Sequence, residues 1–103
     1  MPDTKSGALL IPPIAAEDPK AVELVRVWAA AGGQQISLRP DVWRDPAAWG
    51  IQLVDLAKHV ANALYEQSGR DPRDTLRRIR AGFDAEWGHA TDSPTGGFVE
   101  PGA

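Results

Sequence analysis

The stretch Ala21-Val22-Glu23-Leu24-Val25-Arg26-Val27-Trp28-Ala29-Ala30-Ala31-Gly32-Gly33-Gln34-Gln35-Ile36-Ser37-Leu38 decides which fold this chain takes. Residues 22–28 are rich in β-branched and aromatic side chains, which fit a pleated surface. Gln34 to Leu38 alternates polar and apolar residues, and Arg39-Pro40 ends that run. Two such runs around Gly32-Gly33 are the signal of a β-hairpin. The same residues also carry a helical reading. Glu17-Asp18-Pro19 resembles a helix start, and Val22, Val25 and Trp28-Ala29 fall at helical spacing. We read a hairpin, with room for a short helical turn before it, and helix followed by Gly-Gly and a strand as the alternative over residues 21–31.

Downstream, the signals are unambiguous. Asp45 caps a helix that Pro46 begins and Gly69 ends, and Trp49, Leu53, Leu56, Val60 and Leu64 form its apolar stripe. After Ser68-Gly69-Arg70, Asp71 and Pro72 repeat the start signal. Leu76, Ile79, Phe83 and Trp87 then line one face, and Gly88 follows. A link this short makes the two helices an αα-hairpin. Trp49 and Trp87, lying on the stripes, read as core.

The expected architecture is therefore α+β. A β-hairpin (about 22–30 and 34–38) packs on an αα-hairpin (about 46–67 and 72–87) within a single domain, residues 20–88. Residues 1–19 carry four prolines and read as an extended arm; residues 89–103 read as a flexible tail.

Composition narrows the function classes. With 103 residues, 43% hydrophobic and 24% charged, the chain has the balance of one globular domain. It has no cysteine, which removes disulfides, thiolate catalysis and sulfur-ligated zinc. No apolar run is long enough for a membrane span or a secretory signal, so cytoplasm is the default expectation. A net charge of −3 disfavours nucleic acid as a partner.

Few residues suggest chemistry. Asp55 and His59 stand four apart on the polar face of the first long helix, where a carboxylate can orient an imidazole. No nucleophile shares that face, and the pair reads as a solvated surface pair. As a metal site it is short of ligands, even with Glu86, His89 and Asp92 considered, and no metal or other cofactor is indicated. Residues 70–80 hold five arginines against two aspartates, a local +3 in a chain of net −3. Arg73, Arg77 and Arg80 line up beside the apolar stripe and suit phosphate or carboxylate. The plainer reading pairs Asp74 with Arg78 and Arg80 with Asp84. Trp28, Trp43, Trp49 and Trp87 can line a small pocket or an interface, and Trp43 is the least explained of them.

The text Leu24-Val25-Arg26-Val27-Trp28, Ser37-Leu38-Arg39-Pro40, Val42-Trp43, Trp49-Gly50-Ile51, His59-Val60-Ala61-Asn62-Ala63 and Ser93-Pro94-Thr95-Gly96-Gly97-Phe98 resembles a family of small proteobacterial proteins, domain of unknown function 5076. The resemblance implies a bacterial source and one domain over roughly residues 9–98. It brings no activity, ligand or catalytic residue to these positions.

A lone two-stranded sheet leaves both edges unpaired and is marginal on its own. The expected function is that of a small interaction or scaffolding protein, more an association module than an enzyme, self-associating through its hairpin as a homodimer. Two alternatives stand beside it. One is an adaptor gripping phosphate-bearing or acidic protein partners through Arg73, Arg77 and Arg80. The other is a small-molecule binder with a tryptophan-lined pocket that includes polar groups such as His59.

Overall fold

A computed structural model describes residues 5–88. The tail call for 89–103 and the first four residues of the arm lie outside the described residues. The chain order is α1 (Pro13–Glu17), β1 (Val25–Ala30), β2 (Gly33–Leu38), α2 (Ala47–Ser68) and α3 (Pro72–Gly88). The chain is α+β, and the ambiguous stretch resolves as strand: β1 and β2 form a two-stranded antiparallel sheet.

The turn of the hairpin sits one residue earlier than the Gly-Gly pair suggests. Ala30 pairs with Gly33, so the two loop residues are Ala31 and Gly32, with φ of 52° and 77°. Positive φ at both is the signature of a type I′ turn, whose twist matches that of the flanking strands. Gly33 is the first residue of β2. The register then sets Val27 against Ile36 and Val25 against Leu38, and Arg39 N–H closes the ladder on the Leu24 carbonyl at 2.9 Å.

The arm is not extended throughout. Pro12 and Pro13 start the single-turn helix α1, because proline's fixed φ suits a first helical turn where its missing N–H costs nothing. Asp18 ends it in extended backbone (φ −90°, ψ 111°), and its carboxylate accepts the Lys20 N–H at 2.9 Å. Glu17-Asp18-Pro19 is thus a helix end and not a helix start.

Both long helices begin where their caps predict. The Asp45 carboxylate accepts the Ala47 N–H at 3.0 Å, and Asp71 does the same for Arg73 at 3.2 Å. Gly69, left-handed at φ 71°, stops α2 while its N–H donates to the Tyr65 carbonyl at 2.8 Å. α2 and α3 then pack as an antiparallel pair. Among the described residues only Ala61 on α2 and Thr75 on α3 are fully buried, so small side chains mark the seam.

The expected layering is where the chain departs from its sequence. The hairpin does not lie on the helix pair: no strand Cα approaches a Cα of α2 or α3 within 8 Å. The reason is the connection, residues 39–46, which is fastened to both neighbours. Arg39 Nε donates to the Glu23 carbonyl at 3.2 Å, and the Trp49 indole N–H donates to the Pro40 carbonyl at 3.4 Å. Trp43 packs edge-on against Trp49 with centroids 5.2 Å apart. The hairpin is therefore held beside the helices instead of across them.

The same substitution should act in opposite directions at two glycines. Gly82 is helical with open space around its missing Cβ. Gly82→Ala is expected to stabilise by about 1 kcal/mol, whereas Gly69→Ala, forced into a left-handed backbone, is expected to destabilise by about 1 kcal/mol. Urea unfolding followed by circular dichroism reads both. The buried Thr75 hydroxyl has no hydrogen-bond partner. Thr75→Val, which keeps the shape and deletes that hydroxyl, should raise stability by about 1 kcal/mol in the same assay.

Candidate interaction surfaces

The site residues expected to carry chemistry do not converge. Asp55 and His59 are both exposed, and no hydrogen bond or ion pair joins them. At 100° per residue they point away from the α2 face that meets α3. No group of three or more His, Cys, Asp or Glu side chains among the described residues can hold a metal ion. His89 and Asp92 lie outside those residues, and Glu86 is exposed near the end of α3.

The arginine strip is exposed and largely answered from within its own helix. Arg80 Nε donates to both carboxylate oxygens of Asp84 at 3.0 Å, as the i,i+4 spacing predicts. Asp74 pairs with Arg77 one turn away and not with Arg78. Exposed pairs of this kind contribute about 0.3–0.5 kcal/mol each. Their main effect here is to neutralise two of the three cations that would face an anion.

The tryptophans divide differently from their stripe positions. Trp28, Trp43 and Trp49 are half-buried, while Trp87 is 79% exposed, so it is not core. It stacks on Phe83 with centroids 5.4 Å apart and rings 16° from parallel. Trp28 lies beneath Lys5, whose ammonium is 6.0 Å from its ring centre.

The concentrated feature among the described residues is exposed apolar surface. In the hairpin, alternation and register place Val25, Val27, Ile36 and Leu38 together on one face, with Arg26, Trp28, Gln35 and Ser37 on the other. On that face Val25 and Val27 are 41% and 56% exposed, while Ile36 and Leu38 are half-buried. Beside it runs the N-terminal arm, with Leu9 and Leu10 each 94% exposed. Arm, α1 and β1 enclose a trough of about 670 Å³, walled by Leu9, Leu10, Ile11, Val22, Val25 and Val27 among others.

The helix pair shows the same deficit. On α2 the apolar positions run from Leu56 through Leu53, Ala57 and Ala61 to Val54 and Ile51, an arc of about 220° at 100° per residue. One neighbouring helix covers only part of such an arc. Beside the seam lies a groove of about 430 Å³, lined by Gly50, Leu53, Val54, Leu76, Ile79 and Phe83 among others. Outside it, Leu56 and Val60 remain open, Leu56 at 55%. His59 lines neither concavity. The sequence hid these surfaces, because periodicity shows which residues want burial but not whether the chain supplies the partner layer.

Among the described residues no helix is long and apolar enough to cross a membrane. No curated protein matches the sequence. Among solved structures, the chain resembles one described as a "putative pyruvate dehydrogenase" from the photosynthetic bacterium Rhodopseudomonas palustrus CGA009. The two share 30% identity and superpose with a TM-score of 0.72 over 94% of this chain and 99% of that one. The family model described as Domain of unknown function (DUF5076) matches residues 8–91, most of the chain and both structured pairs, and the chain belongs to that family.

Proposed function

We propose that this chain is a self-associating interaction module, most simply a two-fold dimer built through its hairpin. The observation that carries this reading is a sheet of only two strands among the described residues, with Val25 and Val27 exposed on its apolar face. A sheet with one hydrophobic face must bury it against another layer, and two strands alone are marginal in water.

The edges supply the geometry of association. With a two-residue turn and the Arg39–Leu24 bond, the paired ladder bonds fall at residues 24, 26, 28 and 30 of the first strand and its extension. The backbone groups of Ile36 and Leu38 therefore point away from β1. The arm gathers at β1, with Lys5 over the Trp28 ring, and the edge taken for association is that of β2. Two β2 edges meeting about a two-fold axis would give a four-stranded sheet whose apolar residues share one face.

The activity in the description of the similar structure does not carry over on these observations. A catalytic pocket gathers polar groups at an apolar cleft. Here one concavity sets Glu23 and Arg26 among aliphatic side chains and the other Lys58, Arg80 and Asp84, while the polar pair Asp55 and His59 lies outside both. For the phosphate-gripping alternative, the acidic partners already on Arg77 and Arg80 weigh the other way.

Light scattering coupled to size exclusion should give twice the chain mass of 11.1 kDa at micromolar concentrations. Ile36→Pro removes an N–H that the hairpin itself does not use, and proline is tolerated at such an edge position. That variant should run as a monomer with its helical circular dichroism retained. A wild-type chain that stays at 11.1 kDa at high micromolar concentration would sink the reading.

A further inference from the structure

We infer that the groove beside the α2–α3 seam is the docking site of the chain's own C-terminal segment, with Phe98 seated between the helices and Glu100 paired with Lys58. The inference is independent of the self-association proposed above, since no hairpin residue lines this groove.

The groove is apolar within and charged at its rim. Val54 and Ala57 wall it on α2 and Ile79 and Phe83 on α3, and Val54 and Phe83 are exposed. Lys58, Arg80 and Asp84 complete the lining, and Arg80 and Asp84 satisfy each other. Lys58 is exposed and has no ion-pair partner among the described residues. One positive charge is therefore left uncompensated. The occupant that fits brings a bulky apolar group and one negative charge beside it.

Residues 89–103 hold that combination once. Phe98 and Val99 are their only large apolar side chains, and Glu100 follows. In an extended segment Phe98 and Glu100 lie on the same side, about 6.6 Å apart. On α2, Val54 and Lys58 are one helical turn apart, about 6 Å. The two spacings match, so Phe98 beside Val54 sets Glu100 beside Lys58.

The chain also leaves the helix pair at the right place and in the right direction. Because α2 and α3 are antiparallel, Asp84 marks one end of the groove and Lys58 the other. α3 ends at Gly88, one turn past Asp84. A segment that reverses there and returns along the groove runs parallel to α2, the direction that carries Phe98 to Glu100 from Val54 to Lys58. Ser93-Pro94-Thr95-Gly96-Gly97 supplies turn residues for the reversal just before Phe98. The chain from Gly88 to Phe98 reaches about 33 Å when extended, whereas the return from Gly88 to the level of Arg80 takes about 12 Å. The opposite direction would set Glu100 against Asp84, a like charge. Tethering adds an effective concentration on the order of millimolar, so one aromatic anchor and one ion pair suffice.

The absence of native cysteine lets the contact be trapped. The full chain carrying Lys58→Cys/Glu100→Cys is oxidised in dilute solution beside the same chain carrying His59→Cys/Glu100→Cys. Position 59 is exposed and lines no part of the groove, and an undocked segment would reach both positions alike. Loss of free thiol gives the rate, and a non-reducing denaturing gel separates links within a chain from links between chains. The expected result is a disulfide within one chain that closes at least tenfold faster at 58 than at 59. Adding Phe98→Ala to the 58/100 pair should remove that advantage, with the circular dichroism of every variant unchanged. Equal rates at 58 and 59 would overturn the docking. A disulfide between chains would also overturn it, because the groove would then receive the segment of a second copy. An undiminished rate with Phe98→Ala would overturn Phe98 as the anchor.

Discussion

Everything distinctive in this molecule follows from how residues 39–46 are held. A free eight-residue connection would let a hairpin fold back over the helices that follow it. This one is fastened by Arg39 to the Glu23 carbonyl, by the Trp49 indole to the Pro40 carbonyl, and by the edge of Trp43 on Trp49. A hydrogen bond of this kind is worth about 1 kcal/mol net, and an aromatic pair adds about 0.5–1.5 kcal/mol. Together they are small beside the apolar area they keep apart. They suffice because they act locally, on a short segment that proline and a helix cap already restrict.

Much of the fold was legible because its punctuation is chemical. Asp45-Pro46 and Asp71-Pro72 start helices through a carboxylate acceptor and a residue with no N–H to lose, and Gly69 ends one through a left-handed backbone. These are one-residue mechanisms and need no tertiary context. The turn was less legible. Gly32-Gly33 drew attention as a pair, yet the left-handed positions fall on Ala31 and Gly32. An alanine there costs about 1–2 kcal/mol, and only the strand register, fixed by which face is apolar, shows that the hairpin bears that cost.

Side-chain roles were read less well than elements. Helical spacing offered Asp74 two arginines, at i+3 and i+4, and the rotamers chose Arg77. Trp87 sits on the apolar stripe of α3 but is exposed, because the stripe extends past what α2 covers. Trp43 has no periodic signal at all; its role depends on the chain turning back at Pro40 to bring it against Trp49. Asp55 and His59 are exposed on α2, and among the described residues no third metal-ligating group joins them.

The separation of the two apolar surfaces has an energetic consequence. A chain whose only fully buried described residues are an alanine and a threonine draws little stability from its own interior. Burial contributes about 25 cal/mol per Å² of apolar surface, so the largest remaining source lies in the open hairpin face, the trough and the flank of α2. On the proposed assembly, part of this surface is buried only when two copies meet, and folding stability then depends on protomer concentration.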